Sequence, residues 1–311
     1  MNKIGIRAAA VEEYIKLVEE GVDLVFLVSD SISTSKILPF YQRFPDRVVN
    51  VGIAEQNLIG IAAGLANGGF IPVTGNATPF LLSRSNEQVK IDASYTKSNV
   101  KITGLHAGFS YGMDGVTHHE VNDISIVRGF PAIDIFVPFD TESCKQIMRY
   151  CITEKKGPTY TSMNTGVFPI ISPSNYKFEP GKTLQVKEGK DLSIFVLGTA
   201  IHDLLPALEQ LKNKINADVF VISSVRPLDK TEIIKSINKT GKVLTIEEHS
   251  THGGLGSIVA ETIADNGLNA KLLRLGVPEG TFTLNNSADV NKKFFHLDSQ
   301  GIESIITKNF S

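Results

Sequence analysis

Glu55 stands at one of the junctions of this chain that could carry chemistry, in the run Val51-Gly52-Ile53-Ala54-Glu55-Gln56-Asn57, with an apolar stretch over 58–65 behind it. A carboxylate entering an apolar helix is costly to desolvate, so its proton affinity rises unless a partner meets it. Such a group suits proton transfer. Taken alone, it is equally a first-turn glutamate favoured by the helix dipole. A second concentration is Gly112-Met113-Asp114-Gly115-Val116-Thr117-His118-His119, with His106 upstream. The glycines permit a tight turn, and Asp114 and His118 stand four residues apart in it. A carboxylate and imidazoles sharing one loop fit hydroxyl recognition and proton transfer. Each histidine by itself is as readily a hydrogen-bonded structural imidazole.

These residues need a scaffold that delivers loop after loop to one edge. Apolar residues at 8, 11, 14, 15 and 18 predict an amphipathic helix over 7–20, stopped by Gly21. A buried strand over 24–28 follows and ends in Ser29-Asp30. Further strands are expected at 48–51, 71–74, 100–103, 133–137 and 159–163, and helices at 54–66, 87–95, 124–128 and 141–151. This alternation predicts an α/β fold, a mainly parallel sheet flanked by helices. In such sheets ligands sit beyond the carboxyl ends of the strands, where Asp30, Glu55, the loop 76–84, His106 and 112–119 all fall.

The stretch 168–190, with Pro169, Pro173 and Pro180, shows no sustained stripe and reads as a connection. The expected organisation is a domain over 1–170, a linker over 171–190 and a smaller α/β domain over 191–311. In the last, strands are expected at 192–197, 218–222 and 243–247, and helices at 201–212, 230–237 and from Gly253 to Ile263. The run Gly253-Gly254-Leu255-Gly256 reads as a tight turn before a helix, since a lone glycine cluster is weak evidence for a phosphate cradle.

Composition narrows the class. The 311 residues exceed the usual single core, and 42% hydrophobic with 21% charged residues is ordinary for a globular enzyme. A net charge of −2 gives no electrostatic case for nucleic acid or an anionic membrane. No apolar stretch reaches membrane-spanning length, and the N-terminus lacks the apolar core of a signal peptide. Cys144 and Cys151 lie seven residues apart on one expected helix, about 10 Å of rise and too far for a disulfide. They read as reduced thiols of a cytoplasmic protein, and no Cys/His cluster has zinc spacing.

Together these motifs resemble the transketolase family. The first two-thirds of the chain are similar to its pyrimidine-binding domain and the remainder, through Glu247-Glu248-His249 and Gly253–Ser257, to its C-terminal domain. The resemblance implies thiamine diphosphate as cofactor. Glu55 matches the glutamate that contacts N1′ of the aminopyrimidine and assists loss of the thiazolium C2 proton. Phe80, in Pro-Phe-Leu-Leu-Ser-Arg-Ser-Asn-Glu-Gln, matches the aromatic stacked on that ring, and Arg84 in the same motif is taken as cofactor-binding. Arg7, Asp30, Thr34, His106 and Asp114 match substrate-side positions, and His118 would stabilise a developing alkoxide as the second catalytic residue.

Three departures sharpen the expectation. The family's diphosphate-and-metal motif, Gly-Asp-Gly followed by Asn, is absent, the nearest string being Met113-Asp114-Gly115. The chain is therefore expected to be the C-terminal subunit of a split enzyme. Its partner, an N-terminal transketolase subunit, would hold the diphosphate and Mg²⁺ (or Ca²⁺), in an α2β2 assembly. Thr165 stands where an arginine normally binds substrate phosphate, and a hydroxyl does not replace a bidentate guanidinium. An unphosphorylated, sulfonated or deoxy sugar is the expected consequence. His119 stands where the family has glutamine. The implied activity is two-carbon ketol transfer between a ketose and an aldose. Alternatives are the β subunit of a 2-oxo acid dehydrogenase, a deoxyxylulose-phosphate-synthase-like carboligase, or a non-catalytic subunit keeping the fold. The Gly-x-Asp-Gly-x-Thr-His run, suited to polyhydroxy substrates, stands against the dehydrogenase.

Overall fold

The strand Leu24–Val28 (β1) is buried along its whole length, as a central strand covered on both faces must be. The computed structural model describes residues 4–310. Its contacts divide the chain into two units, Met1–Ala107 with Ile126–Phe178, and Gly108–Ser125 with Glu179–Ser311. The family resemblance assigns 108–125 to the first domain, whereas by contact it groups with the second unit.

Besides β1, the first unit is built from α1 (Ile6–Glu19), α2 (Leu38–Arg43), β2 (Val48–Asn50), α3 (Glu55–Asn67), β3 (Ile71–Ala77), α4 (Asn86–Gln88) and β4 (Lys101–Leu105). Then follow α5 (Asp123–Arg128), which begins in the other unit's segment, β5 (Asp134–Phe136), α6 (Thr141–Thr153) and β6 (Thr159–Met163). The strands lie in the order β5-β6-β4-β3-β1-β2, all parallel. Ala77 is in register with Leu105 and Leu105 with Met163, so the residues after β3, β4 and β6 leave the sheet at one edge. Helices α1 and α6 cover one face, where Tyr14, Leu17, Phe26, Phe40, Ile147 and Met148 form a buried core. Cys144 and Cys151 are free and buried in α6. The helix expected over 87–95 is instead part of a longer segment. Two π-helical stretches, Phe80–Arg84 and Val89–Tyr95, flank the single turn α4, a widened winding that recurs near functional sites.

The second unit contains β7 (Leu184–Lys187), β8 (Leu192–Leu197), α7 (Ile201–Gln210), β9 (Ala217–Ile222), β10 (Ser224–Arg226) and α8 (Thr231–Thr240). It continues with β11 (Lys242–Ser250), α9 (Leu255–Asp265), β12 (Lys271–Val277), α10 (Ala288–Phe294) and α11 (Ser299–Phe310). Its sheet runs β12-β11-β8-β9-β7, parallel except where β7 pairs antiparallel with β9. The stretch expected as linker thus includes an edge strand, β7. Among the described residues no helix is long and apolar enough to cross a membrane.

Candidate active site

Glu55 is the first residue of α3 and is 2% exposed. The turn before it is held by side chains from neighbouring strand ends. Ser29 Oγ donates to the Gly52 carbonyl (2.7 Å) and accepts from Ala54 N–H (3.1 Å), while Asn50 Oδ1 accepts from the N–H groups of Gly52 and Asp30 (3.0 Å each). Gly52, at φ 72, takes the left-handed conformation that this turn needs. The carboxylate then meets two donors, Asn76 Nδ2 at 3.1 Å on Oε1 and Arg84 Nη1 at 2.6 Å on Oε2. The Arg84 guanidinium also lies 4.5 Å from the centroid of the Phe80 ring. Burial pushes the Glu55 proton affinity up, but the hydrogen bond and charge of Arg84, with Asn76 and the helix N-terminus, outweigh it. The carboxyl sits below its usual range, the reverse of the rise expected from an apolar helix alone.

A second group gathers at the same edge. Arg7, at the start of α1, places Nη1 2.6 Å from His106 Nε2 and donates to the Thr34 carbonyl at 2.5 Å. A guanidinium has no acceptor, so His106 presents a lone pair at Nε2 and carries its proton on Nδ1. Asp30 is exposed in the left-handed region (φ 54) after β1, its N–H fixed by Asn50. Ile6 N–H donates to the Gly166 carbonyl (3.2 Å), which brings the start of α1 beside the exit of β6, where Thr165 lies.

Asp114 and His118 belong to the second unit. Their loop is closed at its base by reciprocal backbone bonds between Gly108 and Glu120 (2.7 and 3.1 Å). At its tip Gly112–Thr117 form a 3₁₀ turn with Asp114 exposed. His118 is half-buried, its Nδ1 2.8 Å from Thr117 Oγ1 and its ring edge-on to Tyr111 at 5.1 Å. His119 is buried between Thr283 and the Gly112 carbonyl, and burial lowers its proton affinity. Nearby, Glu247 accepts from the N–H groups of Leu255 (2.7 Å) and Gly256 (2.8 Å), so the N-terminus of α9 is capped by the protein's own carboxylate. A Cβ at Gly254 would strike that carboxylate, which accounts for the glycine run without a phosphate.

The structure therefore joins Glu55 to Phe80 and Arg84, joins Arg7 to His106 and Thr34, and sets Asp114 and His118 on one turn. It adds Asn76, Ser29 and Asn50, to which sequence reasoning gave no role. An amide near the end of the buried strand β3, opening the strand-end loop 76–84, was the available signal for Asn76. Among the described residues no His, Cys, Asp or Glu group has the arrangement to hold a metal ion.

A parallel α/β unit with a buried carboxylate at its carboxyl edge, followed by a second α/β unit, places the protein among two-domain α/β proteins with a polar site at the strand ends. The family model "Transketolase, pyrimidine binding domain" matches residues 2–168, and "Transketolase, C-terminal domain" matches residues 181–302. An apulose-4-phosphate transketolase subunit of Actinobacillus succinogenes is 42% identical over 293 residues, 94% of each chain. The 6-deoxy-6-sulfo-D-fructose transketolase subunit of Clostridium sp. (strain MSTE9) is 33% identical over 273 residues, 88% of this chain and 84% of that one. A solved structure described as a split gene transketolase, inactive β4 tetramer, superposes with a TM-score of 0.88 at 32% identity, covering 99% of this chain and 98% of that one. The chain belongs to the transketolase family, whose cofactor is thiamine diphosphate.

Proposed function

We propose that this chain is the C-terminal subunit of a split transketolase, active only with an N-terminal subunit in an α2β2 assembly. It moves a two-carbon ketol unit from a ketose donor to an aldose acceptor. The observation that carries this reading is the buried Glu55 carboxylate gripped by Asn76 and Arg84 beside the Phe80 ring. The relatives named as transketolase subunits and as a split-gene protein support the two-chain form.

The residues present fit the pyrimidine half of thiamine diphosphate. Each Glu55 oxygen takes one donor and keeps further acceptor capacity, which suits a protonated ring nitrogen, and Phe80 supplies a flat face. The sequence lacks the family's Gly-Asp-Gly and Asn motif for diphosphate-bound Mg²⁺, and we give that site to the partner. Thiamine diphosphate, when bound, supplies the nucleophilic carbon that takes up the ketol fragment. Glu55 would hold the proton at the pyrimidine nitrogen, and Phe80 and Arg84 would orient the ring. His118, its ring held at Nδ1 by Thr117 Oγ1 (2.8 Å), would stabilise a developing oxyanion. Asp114 and Asp30 accept from sugar hydroxyls, and Arg7, His106 and the segment of Thr34 receive the far end of the substrate. With Thr165 in place of an arginine, the preferred sugar is a modified one, in keeping with the apulose phosphate and sulfofructose in the relatives' names.

The test is ketol transfer by this chain mixed with a candidate N-terminal subunit, thiamine diphosphate and Mg²⁺. Xylulose 5-phosphate would be compared with sulfonated and unphosphorylated ketoses, with each chain alone as control. Turnover in the mixture only is expected. Decarboxylation of a 2-oxo acid without ketol transfer would move the protein to the dehydrogenase class.

A further inference from the structure

His119 stands where the resemblance leads one to expect glutamine, and its surroundings define what the ring does. It is buried, with Nε2 2.8 Å from the Gly112 carbonyl and Nδ1 2.8 Å from Thr283 Oγ1. A carbonyl only accepts, so the imidazole proton sits on Nε2 and Nδ1 takes the Thr283 hydroxyl proton. The ring thus spans from Thr283, in the region matched to the C-terminal domain, to the residue that opens the 3₁₀ turn. The backbone of the same residue closes that turn, since the N–H groups of His118 and His119 both donate to the Gly115 carbonyl (2.9 and 2.8 Å). Further ties run the same way. Phe109 N–H donates to Glu248 Oε1 (2.7 Å), and its ring stacks on Phe295 at 5.6 Å and 15° and meets the His119 ring edge-on at 6.1 Å. A Cβ at Gly108 would enter Glu248, and one at Gly115 would enter the Asn285 side chain. Ser250 N–H donates to the Val121 carbonyl (2.7 Å). Glu248, Ser250, Thr283, Asn285 and Phe295, the partners outside the loop, all lie within 181–302.

We propose that His119 is a positioning residue, which with Thr283 locks the turn bearing Asp114 and His118 onto the C-terminal domain. That domain then takes part in placing substrate-side groups. The assignment of Asp114 and His118 to substrate rests on the functional reading above; the lock itself rests on the hydrogen bonds alone. Glutamine carries one amide donor and one carbonyl acceptor, so it can bridge the same two partners, and histidine replaces it without loss of either bond.

The test combines two readouts on Thr283→Val, His119→Leu and His119→Gln. Hydrogen exchange of the amides over 112–119 in the isolated chain should quicken about tenfold in the Val and Leu variants, for one or two lost buried hydrogen bonds. In the reconstituted complex the same two variants should raise KM for the ketose more than they lower kcat, with His119→Gln restoring both readouts. Unchanged exchange, or a glutamine as damaging as leucine, would overturn the lock in favour of simple packing. Faster exchange with unaltered KM would overturn its part in substrate placement. A wild-type complex inactive on every ketose would instead sink the functional reading, with the exchange data still deciding the lock.

Discussion

Arg84 reaches Glu55 at 2.6 Å while its guanidinium lies 4.5 Å over Phe80, so one cation governs both the charge of the buried carboxylate and a face of the ring beside it. Arg84→Met removes the hydrogen bond and charge that outweigh burial, and the Glu55 carboxyl then rises. A carboxyl held below its usual value contributes stability above the usual carboxylate range, lost as pH falls through the folded value. The variant should therefore be less stable than the wild type by about 1–2 kcal/mol at neutral pH, with the gap narrowing on acidification. Urea unfolding at neutral pH and near about pH 4 checks this. Equal gaps at both would mean that Arg84 acts by packing alone.

Glu55→Gln separates proton chemistry from folding. The amide oxygen still accepts from Asn76 or Arg84, so the chain stays folded, but no proton can be held and released. Ketol transfer by the reconstituted complex should fall by about 10²–10⁴-fold, the span of general acid–base catalysis. Full activity would remove Glu55 from the mechanism, and with it the thiamine assignment.

Three buried parallel strands were legible almost residue for residue. The strands β1, β6 and β8 are continuous runs fixed by turn residues, and the structure places them at 24–28, 159–163 and 192–197. The segment 80–95 was not, because one extra residue per turn leaves an apolar pattern (Leu81, Leu82, Val89, Ala93) that an ordinary helix also makes. The residue types of the site were legible, and the sign of the Glu55 proton affinity was not. That sign depends on Arg84, 29 residues away, whose approach only the widened winding of the chain reveals. The tie between the Asp114 loop and the C-terminal domain was likewise hidden, since His119 and Thr283 are 164 residues apart and the departure at His119 does not name its partner.

Thr165→Arg tests substrate choice at the exit of β6, beside the start of α1 that carries Arg7. A guanidinium there could fork onto a terminal phosphate beside the Arg7 group. The ratio of kcat/KM for xylulose 5-phosphate over an unphosphorylated ketose should rise by about 10-fold or more, in line with a charge-assisted pair. An unchanged ratio would show that this position does not face the substrate's end.

Glu120 supplies a pH signature for the loop's base. It is buried beside Asp123, and burial first, then the charge of Asp123, pushes its carboxyl up to about 8, although Oε1 accepts from Asn122 N–H at 2.8 Å. An acid whose folded value is raised contributes stability that is full below its unfolded value and is lost as pH rises through the folded one. Wild-type protein should thus give up stability between the usual carboxylate range and about 8, where the buried carboxylate must ionise next to Asp123. Glu120→Gln keeps an oxygen for Asn122 N–H and cannot ionise. The variant should match the wild type in mild acid and exceed it by at least about 1 kcal/mol in mild base. Parallel stability curves for the two proteins across that range would show that Glu120 is ionised throughout, with its charge met by a partner.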